Sequence, residues 1–141
     1  DVYSEKFILK LHKKMFNHVW KWAGKYRKSN KNIGVDFYQI AEELEKLFGD
    51  VRYWLKNEVF SITEVAVRFH HRLVKIHLFS NGNGRHARLC ADVIVAKHGG
   101  EKLTWGKFNL NKPNEVRKRY IAALKDADLG DYQAIINFAK S

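Results

Sequence analysis

A single cysteine, Cys90, rules out an internal disulfide. Cys90 lies within an apolar helical pattern, so it reads as a small buried hydrophobe rather than a reactive thiol. A reducing cytoplasm fits this, in the cell of origin or in a cell into which the chain is delivered. Proline is equally scarce, with Pro113 the only one. No Pro/Ser-rich linker, low-complexity tract or internal repeat divides the 141 residues, so one domain spanning 1–141 is expected. No apolar run is long enough to span a bilayer, and nothing resembles a signal peptide. The chain opens on Asp1 rather than Met, consistent with a segment of a longer chain.

Acidic residues are few. Fifteen Asp and Glu face 26 Lys and Arg, a net charge of +11. Such an excess suits nucleic acid when it forms one stripe. Here the cations spread along the whole chain, the densest group running from Lys10 to Lys31 over a patterned helix. A solvated basic face that attracts anionic nucleotides or acidic partners explains them better than nucleic-acid binding does.

The apolar pattern is helical. Phe7, Leu11, Met15, Val19 and Trp22 predict a first helix ending near Gly24. Lys25 to Val35 is polar and patternless, a loop or short β-hairpin. Asp36 can cap a second helix with the stripe Phe37, Ile40, Leu44, Leu47, Val51 and Trp54. Ser61 and Glu64 form a capping box for a third, which should stop around His77. Ala87 to Ala96 is apolar nearly all round, the mark of a central helix, closed by Gly99 and Gly100. A loop runs to Pro113, which suits a first helical turn, and a last helix follows Gly130. The expected fold is all-α, about six helices, with a β-hairpin before the second.

The run His77-Leu78-Phe79-Ser80-Asn81-Gly82-Asn83-Gly84-Arg85-His86-Ala87-Arg88 carries the chemistry. Glycines beside Asn83 let backbone N–H groups converge into an anion-binding nest. The helix beyond adds unpaired donors and partial positive charge. Arg85 and Arg88, three apart, share one side of its first turn, and guanidinium forks suit phosphate oxygens. His77, across the loop, titrates near neutrality and can take a proton from an attacking hydroxyl. Phe79 would anchor the loop in the core. Taken alone, the pattern also fits a simple turn with a helix-capping histidine. No strand precedes the loop and no Lys-Ser/Thr follows it, which excludes Rossmann and Walker A sites. His70, His71, His77 and His86 lack metal-ligand spacing.

The run resembles the Fic family signature, His-x-Phe-x-(Asp/Glu)-Gly-Asn-Gly-Arg-x-x-Arg. Only Asn81 departs from it, standing where the family usually has an acid. The stretch Trp20 to Arg27 resembles the region before the family's hairpin flap, and a bacterial subgroup called mobile mystery protein B is similar. The resemblance implies AMP transfer from ATP to a Tyr, Ser or Thr hydroxyl of a target protein. It implies His77 as base and Gly82, Asn83 and Gly84 as the cradle of the α- and β-phosphates. Arg85 would hold the β-phosphate and Arg88 the γ-phosphate. Lys25, Tyr26, Arg27 and Ile33 would belong to a flap that docks the target, and Tyr120 to the adenine pocket. Mg²⁺ would arrive with ATP. Asn81 would bind it weakly, or would only shape the loop of an inactive binding module. Doc relatives, which phosphorylate proteins, carry Lys where this chain has Gly84, so Gly84 favours AMP transfer, although other nucleotides or phosphocholine stay open. The family's self-inhibitory Ser/Thr-x-x-x-Glu pattern is missing: the residue four after Ser4, Ser29, Ser61, Thr63, Ser80 or Thr104 is never Glu. Inhibition would then come from a separate inhibitor or antitoxin protein, from sequence preceding Asp1, or not at all.

Overall fold

A computed structural model describes residues 1–107 and 112–141. Its helices are α1 (Glu5–Phe16), α2 (Ile40–Lys56), α3 (Ile62–Ile76), α4 (Asn83–Lys97), α5 (Pro113–Asp128) and α6 (Gln133–Lys140), with one 3₁₀ turn at Phe37–Gln39. The described residues contain no strand. The all-α expectation of six helices holds. The loop expected between Gly100 and Pro113 is described except at 108–111, which lie outside the described residues.

Helix α3 is central. It packs on α4, α2 and α6, while α4 also meets α1 and α5 packs on α6. Its start is the capping box in part: Ser61 Oγ accepts from the Glu64 N–H at 3.2 Å, and the Glu64 carboxylate pairs with Arg68 at 2.8 Å. Its buried set runs from Val65 to Ile76, with Phe69 fully buried between Tyr3 and Phe48. Burying a side chain of that size contributes about 1.5–3 kcal/mol. Cys90 is fully buried, and burial pushes its thiol well above the ordinary range, so it is inert packing.

Two expectations fail at the start of the chain. The first helix stops at Phe16, not near Gly24, and Val19 is exposed. Tertiary packing overrides the periodic pattern here. Trp20 and Trp22 stack at 4.7 Å beside Phe16 and His12. The chain then turns back so that the Gly24 N–H reaches His12 Nδ1 at 2.9 Å, with Gly24 at φ +81°. The second failure is the β-hairpin. Residues 25–35 form bends and irregular chain, because the backbone N–H groups of the two limbs donate to the end of α3 and the motif loop. The Arg27 N–H donates to Leu78 O at 3.0 Å and the Val35 N–H to Ile76 O at 3.3 Å.

Four histidines are buried: His12, His70, His71 and His86. His12 Nε2–H donates to Asn81 O at 3.1 Å, while its Nδ1 accepts from Gly24, so the ring is neutral. His86 Nε2–H donates to Ile8 O at 3.0 Å. Burial lowers the pKa of His86 to about 4 and that of His70 to about 3, below the ordinary 6.5. The folded chain therefore binds fewer protons than the unfolded one between those values and 6.5. Stability is full above about pH 6.5 and falls as pH drops toward the folded values. Urea unfolding at pH 7 and at pH 5.5, above the carboxylate range, should show a lower midpoint at the lower pH, and His86→Gln should reduce the difference. Equal midpoints at the two pH values would contradict the buried neutral state.

Candidate active site

The sequence run from His77 to Arg88 forms the hinge between α3 and α4. His77 is the left-handed cap of α3, at φ 59° and ψ 69°. A non-glycine residue in that region is uncommon and needs support from its surroundings. Arg27 supplies it. Its side chain is 3% exposed and donates to the carbonyls of Ile76, His77, Ser29 and Val35. Gly34 lets the loop cross closely: a Cβ there would stand 2.6 Å from His77 Cβ, and its φ is +94°.

Beyond His77, Phe79 is fully buried. The His12 ring stacks on it at 3.7 Å and the His86 ring meets it edge-on at 5.1 Å. Asn83 closes the turn by a reciprocal pair: its Oδ1 accepts from the Phe79 N–H at 3.0 Å and its Nδ2 donates to Phe79 O at 2.8 Å. Gly82 caps α4 at φ +79°, where a Cβ would fall 2.7 Å from the Phe16 ring. The Gly82 N–H donates to Asn81 Oδ1 at 2.8 Å. The N–H groups of Asn83, Gly84 and Arg85 follow in the first turn of α4, where amides have no intrahelical acceptor.

These parts converge on one open cavity of about 480 Å³, lined by His77, the loop from Ser80 to Gly84, Arg85, Arg88, Arg117 and Tyr120. Its lining holds three arginines and no carboxylate. Arg85 lies over the Phe16 ring at 4.8 Å, and Arg88 over the Tyr120 ring at 4.3 Å. Arg88 Nε is buried without a hydrogen-bond partner. A buried guanidinium N–H left unpaired is costly, and an anion entering the cavity offers an acceptor. The His77 pKa is lowered, first by burial and then by the Arg27 and Lys31 charges, so the ring is neutral at pH 7. Among the described residues no glutamate pairs with Arg88.

The residues from 2 to 95 match the Fic/DOC family. The chain belongs to that family. Among curated relatives, the protein adenylyltransferase fic-1 of Caenorhabditis briggsae is 32% identical over 93% of this chain and 25% of its own length. Protein adenylyltransferase Fic of Nematostella vectensis is 30% identical over 93% of this chain and 30% of its own. The chain thus spans between a quarter and a third of these relatives. Among solved structures, Fic-1 (residues 134–508) from C. elegans superposes with a TM-score of 0.78 at 27% identity, covering 97% of this chain and 39% of that one. A Fic-domain signalling protein from Bacteroides thetaiotaomicron shares the fold with a TM-score of 0.73 at 21% identity.

Against that Fic fold, the flap residues separate. Lys25 and Ile33 are exposed, and Ile33 borders the cavity. Tyr26 is half-buried and donates to Glu5 at 2.8 Å. Arg27 is turned inward, so its guanidinium is a clamp of the loop rather than a docking group. Asn83 likewise has its oxygen and one N–H engaged within the loop. Three contributors escaped the sequence reading. His12 gave no signal, since it sits at an ordinary core spacing. Gly34 looked like any loop glycine. Arg117 was readable, because it shares a helix face with Tyr120 and Leu124, three and seven residues on.

Arg27→Gln should remove most of the clamp. Hydrogen bonds from charged groups contribute about 1.5–3 kcal/mol each. The variant should unfold at clearly lower urea, and limited proteolysis should cut first within residues 25–35. Wild-type stability and an uncut loop would show that Arg27 does not hold the flap.

Proposed function

We propose that this domain transfers AMP from ATP to a Tyr, Ser or Thr hydroxyl of another protein, releasing pyrophosphate. The observation that carries this reading is the single cavity in which a neutral histidine faces a helix N-terminus and two arginines. His77 takes the hydroxyl proton, and the oxygen attacks the α-phosphorus. The bond from that phosphorus to the bridging oxygen breaks, and pyrophosphate leaves with the electron pair. The N–H groups of Asn83, Gly84 and Arg85 face the α- and β-phosphates. Arg85 holds the β-phosphate as charge grows on the leaving group, and Arg88 reaches the γ-phosphate through its unpaired edge. Tyr120 and Arg117 border the nucleoside end. A Cβ at Gly84 would meet only Tyr120 Oη, at 3.8 Å, so the absence of a lysine there leaves room for the nucleotide in the AMP-donating orientation.

Mg²⁺ fits this donor set thinly. Among the described residues no cluster of three His, Cys, Asp or Glu side chains exists. Asn81 Oδ1 is the protein oxygen at hand, and it already accepts from Gly82. Magnesium needs few protein ligands when it arrives with phosphates. Bound there, the ion supplies positive charge against the triphosphate. The rival reading is an inactive binding module. What favours it is that Asn81 has a structural use in capping the loop. A separate inhibitor protein belongs to the AMP-transfer reading: among the described residues no glutamate pairs with Arg88, and such a partner would supply one. The described residues include no helix long and apolar enough to cross a membrane.

His77→Ala should slow labelled-AMP transfer by about 10²–10⁴-fold, the usual size of general-base catalysis, with ATP affinity nearly unchanged. Equal rates in both proteins would rule out His77 as the base. Asn81→Asp should reach half-maximal rate at lower Mg²⁺ than wild type, and Asn81→Ala should need more. One shared Mg²⁺ dependence in all three would mean that Asn81 only caps the loop.

A further inference from the structure

A second groove lies on the other side of Ser80 from the catalytic cavity. It has a volume of about 440 Å³, close to that of the cavity itself. Ser80 is exposed and lines both, so the two adjoin at the motif loop. The aromatic residues Trp22 and Tyr26 line it together with Lys21, Lys25 and Lys28. With Arg27, four of its eight lining residues are cationic and none is acidic. In the whole chain 26 of 141 residues are cationic and 15 are acidic, so the groove is far more one-sided than the surface at large. Lys21, Lys25 and Lys28 are exposed, and none of them forms an ion pair among the described residues. Of the acids behind this lining, Glu5 accepts from the Tyr26 hydroxyl and Asp36 acts on the buried Arg27 through its charge.

We propose that this groove receives an acidic segment of the protein being modified, flanking the hydroxyl that enters the His77 cavity. In its catalytic part this rests on the AMP-transfer reading. The physical grounds are charge complementarity and adjacency. Lysines around an aromatic floor attract carboxylates while leaving the chain between them apolar contact. A segment crossing Ser80 keeps one end in the groove while a side chain reaches His77. The lysines act by steering and register, since exposed ion pairs are individually weak. Lys25, on the flap, thus docks through charge, and Tyr26 through its ring face.

The test uses three short synthetic peptides, each with one Tyr at the centre and flanks of Glu, Gln or Lys. Binding is read by fluorescence anisotropy without ATP, and AMP transfer is read separately with labelled ATP. The Glu peptide should bind best, and binding should weaken with added salt, because exposed charges are screened within about 8 Å at physiological ionic strength. Combined Lys21→Glu, Lys25→Glu and Lys28→Glu substitutions should weaken the Glu peptide roughly tenfold and favour the Lys peptide, as three small pair energies allow. Reversing three exposed lysines elsewhere, Lys56, Lys118 and Lys125, lowers the net charge equally and should leave the peptide preference intact. If that control weakens binding as much, or if the Gln peptide binds as well as the Glu peptide, the groove has no such role. Acidic-peptide binding without any AMP transfer would sink the activity and keep the groove. Transfer to all three peptides at equal rates would do the reverse.

Discussion

The site depends on one buried guanidinium. Arg27 sits at the C-terminal end of α3, where the last carbonyls of a helix lack partners and carry partial negative charge. Among the described residues no carboxylate bonds to it directly, although the Asp36 charge acts on it. Instead its donors serve the carbonyls of Ile76 and His77 together with those of Ser29 and Val35 in the loop. Burial lowers its pKa somewhat, yet an arginine so far above neutrality stays charged. One side chain thereby ties the end of α3 to both limbs of the loop and holds His77 in its left-handed turn. The same arrangement explains why the loop is no hairpin. Its limbs face a helix end that needs donors more than they need each other.

Two helix ends of opposite polarity meet at the motif loop. Arg27 satisfies the negative end of α3. The positive end of α4 has no such partner among the described residues, since Gly82 caps it without a side chain and the next residues line the cavity. Below the loop, Phe79 is held between the rings of His12 and His86, both neutral and both bonded to backbone carbonyls. His77 and the first amides of α4 are thus fixed relative to each other by packing on one side and by hydrogen bonds on the other. Pre-organisation of that kind is what positions reacting groups without reordering at the moment of reaction.

The helices were largely legible in the sequence, because Ser61, Pro113 and the apolar rows obey local rules. The end of α1 was not. Val19 and Trp22 continue its period, but the stack of Trp20 on Trp22 and the bond from Gly24 to His12 are non-local and leave no periodic trace. That His77, Arg85 and Arg88 line one cavity was legible in the sequence, because the loop and the first turn of α4 bring them together by local rules. Asn81 and Asn83 were readable as polar loop residues but not as to their use, since an amide that closes a turn and one that meets a ligand look alike in sequence. Arg27 is the sharpest case. A basic residue in a basic stretch reads as solvent-facing, and only the fold shows it buried.

The charge balance of the cavity separates a ligand site from a merely solvated face. Solvated lysines scatter, with water and acids between them, and cost little. Arg85, Arg88 and Arg117 line the same space as a helix N-terminus, without one carboxylate. Gathering that much positive charge works against stability in the empty state. Aromatic faces under Arg85 and Arg88 relieve part of it, since a ring's negative face attracts a guanidinium by roughly 0.5–2 kcal/mol. Arg88 Nε nevertheless remains unpaired. An internal carboxylate would neutralise the charge and use the edge as well, and would close the site. No carboxylate lines the cavity, and Asp92 acts on Arg88 only through its charge, so the rings hold the arginines in place and leave them available. A polyanion bridging them would supply both the missing charge and the missing acceptor, which a neutral ligand of the same volume would not.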